Sequence, residues 1–179
     1  DDPIKIAMVG KYVTLVDSYV SVNEALKHAS ASIGRSVNIE WIDSETFNGN
    51  LNQLDNFDGV LVPGGFGTRG SEGIIDTATY TLEKNIPYLG ICFGFQLAAI
   101  AFGRKMCSLE NANSTEIIAD TKNPIIDLLP EQKNETDMGG SLRLGANEIK
   151  INQNSLAHKI YNSDKISKRH RHRYEFNTK

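Results

Sequence analysis

Four short apolar runs, residues 4–9, 37–42, 59–62 and 87–91, alternate with helix-patterned stretches in the first part of this 179-residue chain. Strands that alternate with helices build parallel sheets covered by helices on both faces. The first run stops at Gly10, the third at Pro63-Gly64-Gly65 and the fourth at Cys92. In such folds chemistry gathers at the carboxyl ends of the strands. Asp17 or Ser18 is expected to cap a first helix, with a capping box at Ser21-Val22-Asn23-Glu24. Val22, Ala25, Leu26, Ala29 and Ile33 recur at helical spacing, and Gly34 is a stop. Residues 71–84 and 94–102 read as further helices, and 48–56 as loop. Beyond residue 108 the alternation fades: 111–116 and 134–140 are loop-like, while 141–144 and 148–151 can pair as antiparallel strands.

The length suits one domain with a real core. A net charge of −3 argues against a general binder of nucleic acid or membrane surfaces. No apolar run reaches the ~18 residues that a spanning helix needs, and the acidic start, Asp1-Asp2-Pro3, is no signal peptide. The two cysteines, Cys92 and Cys107, fit no zinc spacing and form no disulfide framework, which points to a reducing, cytoplasmic setting.

Cys92 has the richest surroundings. The apolar run 87–91 leads into it, Gly90 and Gly94 flank it, and a helical pattern follows. This is the layout of a nucleophile elbow, with sulfur in place of oxygen. The helix start points free N–H groups at the sulfur, and those dipoles favour the thiolate that attacks carbon. A buried core cysteine is the plain alternative; the flanking glycines and the strand-to-helix position favour the nucleophile. Cys107 has no such frame and is expected in the core.

Four glycines lie in the seven residues 64–70, directly after an apolar strand. Such a turn lets backbone amides approach a phosphate or the oxyanion of an acyl intermediate. With Cys92 in the same fold the oxyanion is favoured, held by amides near Gly64 and Gly65 and by that of Phe93. The run Lys168-Arg169-His170-Arg171-His172-Arg173 fits a nucleic-acid patch, a solvated charged face or an arginine fork for a substrate carboxylate; position does not separate these. A cysteine nucleophile wants a base. His28 is placed on a helix surface, His158 lies in a polar stretch, and arginines next to His170 and His172 would lower their proton affinity. No histidine stands out as that base.

Gly90-Ile91-Cys92-Phe93-Gly94-Phe95-Gln96 and residues 63–73 resemble the class I glutamine amidotransferases. Gly10-Lys11-Tyr12, Ala112-Asn113-Ser114-Thr115-Glu116, residues 138–145 and residues 169–175 narrow the resemblance to the glutaminase domains of the CTP synthase family. The likeness runs through nearly the whole chain. It implies an α/β, flavodoxin-like domain with a mostly parallel central sheet and helices on both faces, in which Cys92 attacks the side-chain amide of L-glutamine. Ammonia leaves, and water cleaves the glutamyl thioester. The resemblance places Gly64, Phe93, Gly94, Phe95, Gln96, Glu116 and Arg173 against glutamine, Glu116 at its α-amino group and Arg173 at its α-carboxylate. Gly65 and Phe93 stand at the oxyanion, and no metal is expected.

The same resemblance implies no cofactor in this domain. A partner synthetase domain of the same polypeptide would use ATP, UTP and Mg to make CTP, with GTP as activator, sensed by a mobile loop at 69–73, and a homotetramer as the assembly. Residues 1–179 are then one amidotransferase domain, without the synthetase domain and incomplete at its C-terminus. The family's His-Pro-Glu motif is absent from these residues, so the isolated segment is expected to be nearly inert. Another cysteine hydrolase on the same fold, and a catalytically inactive binding or assembly module, are the competing readings.

Overall fold

The computed structural model describes residues 2–11, 16–47, 50–128 and 143–178. They fall into two compact units. The first comprises residues up to Asp127 together with the segment from Phe176, and the second runs from Leu128 to Glu175.

The first unit is built on a four-stranded, fully parallel sheet. Its strands are β1 (Ile4–Gly10), β2 (Val37–Asp43), β3 (Gly59–Val62) and β4 (Tyr88–Gly90), in the order β2-β1-β3-β4. Between them run α1 (Val20–Ile33) and α2 (Ser71–Lys84), and α3 (Phe93–Met106) follows β4. The β1-to-β2 and β3-to-β4 crossovers step in opposite directions across the sheet. Right-handed connections therefore put α1 on one face and α2 on the other, and α3 packs beside α2. This is the doubly wound, flavodoxin-like order, with its switch point between β1 and β3. β1 is buried along its second half and β3 along its whole length, as strands covered on two faces must be. Met8, Val9, Val62, Ile74, Ile75, Leu97 and Ile100 are fully buried and form the core.

Several expectations need correcting. Tyr19 stands at the N-cap of α1 after a 3-10 turn, Val16–Tyr19, and its side chain makes no capping hydrogen bond. The helix starts ahead of Ser21, so the amides a capping box would serve already lie within it. Gly34 does end α1, in the left-handed conformation at φ 67°. No residue of α1 is fully buried, and Ala25, Ala29 and Ile33 are exposed. α3 begins at Phe93 and runs four residues beyond Phe102, because Gly103 packs on Ile125 and Ala112 without breaking it. Cys107 follows the end of α3 and is exposed, not in the core. Within 48–56, residues 48 and 49 lie outside the described residues and Leu51–Asn56 form a 3-10 turn around buried Leu54.

After α3, β5 (Ala112–Ser114) and β6 (Asn123–Leu128) form a small parallel pair, so that residues 112–114, expected as loop, are a strand. Asn177 returns beside β6 and donates from its backbone to the Ile125 carbonyl at 2.8 Å.

In the second unit, β7 (Arg143–Lys150) pairs antiparallel with β8 (Lys165–His172), from Arg143 opposite His172 to Lys150 opposite Lys165. The two strands proposed for 141–144 and 148–151 are thus one strand with a distant partner. Its tolerance of Gly145 at φ 82° hides that continuity in the sequence. Residues 134–140, and the start of the 141–144 run, lie outside the described residues. A short helix, α4 (Leu156–Tyr161), joins β7 to β8, and the Ser155 hydroxyl accepts from the His158 amide at its start. β9 (Tyr174–Phe176) ends the series.

Candidate active site

β4 ends at Gly90, and Cys92 stands at the N-cap of α3 with φ 54° and ψ −108°. A side chain in that conformation is strained, by about 1–3 kcal/mol. The surroundings impose it. A methyl group on Gly90 would fall 2.5 Å from the Gly94 backbone, and one on Gly94 would fall 2.2 Å from the Val62 carbonyl oxygen. Strand, turn and helix therefore approach one another as closely as two glycines allow. Three hydrogen bonds pin the turn. The Ile91 amide donates to the Val62 carbonyl at 2.9 Å, the Gly94 amide to the Ile91 carbonyl at 3.1 Å, and the Tyr88 hydroxyl to the Gly94 carbonyl at 2.9 Å. Burial raises the Tyr88 phenol well above the ordinary tyrosine range, so it remains a donor.

The 64–67 turn faces this elbow. A methyl on Gly64 would lie 3.7 Å from the Cys92 Cβ, and one on Gly65 3.5 Å from the Phe93 ring. Two side chains grip the turn from other elements. Lys11, directly after β1, donates from Nζ to the carbonyls of Phe66 at 2.9 Å and Gly67 at 2.6 Å. Glu116, in the turn after β5, accepts from the Gly67 amide at 2.8 Å. The turn at Glu116 is itself tied, its amide donating to the Ser114 hydroxyl at 3.1 Å. Arg69 pairs with Glu45 at 2.9 Å and donates to the Lys11 carbonyl at 3.1 Å.

Cys92 is exposed, as a nucleophile must be. Its thiol is nevertheless pushed above the ordinary cysteine range, first by burial of the sulfur's surroundings and then by the charge of Glu116. A hydrogen bond from the Phe93 amide opposes them. The expected thiolate is thus not favoured in the free site. The Phe93 amide does not outweigh desolvation and the nearby Glu116 carboxylate. A thiol in this environment needs a base before it can act as a nucleophile.

The other residues singled out in the sequence are placed as follows. Phe93, Gly94 and Gln96 are buried in the first turn of α3, with the Gln96 amide bonded to the Cys92 carbonyl at 3.0 Å, while Phe95 is 53% exposed. Arg173 belongs to the second unit and is half-buried there. In that unit Arg143 pairs with Glu175 at 2.6 Å, and Glu175 lies 3.5 Å from His172. His170 and His172 share the half-buried face of β8, while Arg169 and Arg171 are exposed on the other. His172 has lowered proton affinity, but the cause is burial first, opposed by Glu175 and aided by His170 and Arg143, and not the arginines next to it in the run. His28 is on the surface of α1. Among the described residues, no group of three His, Cys, Asp or Glu side chains could hold a metal ion. None of the described helices is long and apolar enough to cross a membrane.

Lys11 stood out in the sequence only as part of a short resembling motif. One lysine after a strand carries no sign that it will be 5% exposed. The available signal was its place: the first residue beyond β1, at the switch point.

A family model described as glutamine amidotransferase class-I matches residues 14–179. The chain belongs to the class I glutamine amidotransferase family. The CTP synthase of Halalkalibacterium halodurans is 55% identical over 176 residues, covering 97% of this chain and 33% of that protein. The CTP synthase of Archaeoglobus fulgidus is 53% identical over 176 residues, covering 96% and 32%. The chain thus spans about a third of the curated relatives it matches. The glutaminase domain of the Trypanosoma brucei CTP synthase, solved with bound acivicin, superposes with a TM-score of 0.90 at 34% identity, covering 98% of this chain and 69% of that one. Within the class I amidotransferases the chain is therefore a glutaminase domain of the CTP synthase kind, and its relatives are longer enzymes of which such a domain is one part.

Proposed function

We propose that this amidotransferase domain hydrolyses L-glutamine through Cys92 and that the released ammonia serves a synthetase domain of the same polypeptide. The observation that carries the reading is the strained, exposed Cys92 at the carboxyl end of a parallel strand, beside the Gly64-Gly65 turn. In the proposed reaction the sulfur attacks the glutamine side-chain carbonyl, and its proton passes through a base to the departing ammonia. The negative oxygen meets amides at Gly65 and Phe93, and water then cleaves the thioester to glutamate. Gly64, Gly94, Phe95 and Gln96 frame the substrate. Glutamine is a zwitterion, so Glu116 takes its ammonium and Arg173 its carboxylate.

The synthetase domain, in this reading, aminates UTP to CTP with ATP and Mg. GTP acts as activator through the segment 69–73, the polypeptide assembles as a homotetramer, and the enzyme is cytoplasmic. Residues 1–179 are its amidotransferase domain. Their likeness to full-length CTP synthases supports this reading over a general cysteine hydrolase or an inactive module.

Acivicin, the compound bound in the trypanosomal domain, provides the test. In the full polypeptide it is expected to alkylate Cys92 and not Cys107, the sulfur displacing chloride so that the adduct adds the compound's mass less HCl, abolishing glutamine-dependent synthesis and sparing ammonia-dependent synthesis. Label on Cys107 alone, or full glutamine-dependent activity in Cys92→Ala, would overturn the reading.

A further inference from the structure

We infer that Lys11 is a positioning residue that holds the 64–67 turn in the shape that presents its amides to the sulfur of Cys92. The inference rests on the glutaminase reading above and extends it to a residue with no assigned role.

The geometry is specific. β1 and β3 are neighbours in the sheet, and the chain leaves them at Lys11 and at Pro63-Gly64-Gly65. Gly10 lies beside the Pro63 ring and the Tyr19 hydroxyl, each 3.5 Å from where a Cβ would stand. The Lys11 ammonium is then directed at two successive carbonyls, Phe66 at 2.9 Å and Gly67 at 2.6 Å. It also sits 4.2 Å from the centre of the Phe93 ring, the residue next to the nucleophile. One cation therefore touches both halves of the proposed oxyanion pocket, the glycine turn by hydrogen bonds and the elbow by its aromatic face. Glu116 holds the same turn through the Gly67 amide.

Burying an ammonium is costly unless its donors are satisfied. A methionine would fill similar space without that cost, but it would leave two carbonyls of a glycine-rich turn unpartnered. Glycines at 64, 65 and 67 have many other conformations available. The buried cation selects one of them before substrate arrives, and a turn held in advance is what oxyanion stabilisation requires.

Glu116, Glu45 and Arg69 are the charged groups that act on Lys11. Burial lowers its pKa to about 8, with Arg69 also lowering it and Glu116 and Glu45 opposing. The folded protein thus releases this proton more readily than the unfolded chain. From this group alone, stability rises with pH between about 8 and the ordinary lysine value of 10.5. Activity moves the other way, because the neutral amine has lost its charge-assisted grip.

The experiment uses the full polypeptide and compares wild type, Lys11→Met and Cys92→Ala. Lys11→Met is expected to lower kcat for glutamine hydrolysis roughly 10–100-fold, short of or near the loss from deleting an oxyanion donor. KM for glutamine should stay within about threefold, because Lys11 does not contact substrate in this reading, and ammonia-dependent synthesis should be unchanged. Wild-type kcat should decline as pH rises through about 8, while the residual activity of Lys11→Met shows no such decline. Wild-type kcat in Lys11→Met, or a loss confined to KM, would overturn the inference, as would a flat wild-type profile through pH 8 if the variant does not fold. An active Cys92→Ala would instead overturn the glutaminase reading, so the two failures are distinct.

Discussion

Cys92 carries two opposed demands. Its backbone is held at φ 54° by strand, turn and helix, and its thiol is held protonated by the surroundings that make the site. The strain predicts a stability order. Cys92→Gly should unfold at a higher temperature than Cys92→Ala, by about 1 kcal/mol in stability, since glycine reaches positive φ without steric cost. Thermal unfolding of the two variants checks it; equal melting would mean that the turn is not strained. The raised thiol makes a second prediction. Alkylation of Cys92 by iodoacetamide should be slower near neutral pH than that of a free cysteine, and should keep climbing above pH ~8.5, where a free cysteine begins to level off. Glu116→Gln removes a negative charge that disfavours thiolate, so its reaction at pH 7 should be faster. A slower or unchanged rate would show that the carboxylate does not act on the sulfur.

The elbow also depends on close contact between elements. α3 lies against the end of β3 at Gly94, where no side chain fits beside the Val62 carbonyl. Gly94→Ala sets a methyl 2.2 Å from a backbone oxygen, and backbone on both sides leaves no flexible group to yield. The expected result is a loss of several kcal/mol, or failure to fold, seen by denaturant unfolding. Gly64→Ala is the contrast, because its methyl meets only the Cys92 Cβ at 3.7 Å. It should fold like wild type and, in the proposed reading, lose glutaminase activity at least tenfold, by placing a methyl beside the Cys92 side chain. Normal kcat would remove the turn from the site. These two glycines look alike in sequence, and only one is needed by the fold.

The whole protein is expected to separate glutamine chemistry from synthesis. In the proposed reading Glu116 and Arg173 each pair with one charge of glutamine, so replacing either by alanine should raise KM for glutamine tenfold or more. Glu116→Ala should also lower kcat, because Glu116 holds the Gly67 amide as well. Ammonia-dependent synthesis should survive both changes; its loss would place these residues in folding or assembly instead.

Much of this architecture was legible in order. The end of β1 at Gly10, the break after β3 at Pro63, the fourth strand to within one residue at each end, helix α2 at its full length and the Gly34 stop follow from local patterns, because burial on both faces makes parallel strands apolar and glycine alone accepts tight turns cheaply. The elbow was legible for the same reason: its glycines answer a steric need that neighbouring residues create. The strand status of 112–114 and the pairing of β7 with β8 were not legible, because their partners lie many residues away and their own composition is polar. Nor could local sequence set the proton affinity of Cys92 or the burial of Lys11. Both depend on charges and surfaces brought from β1, the 64–67 turn and the segment after β5, and such long-range sums exist only once the chain has packed.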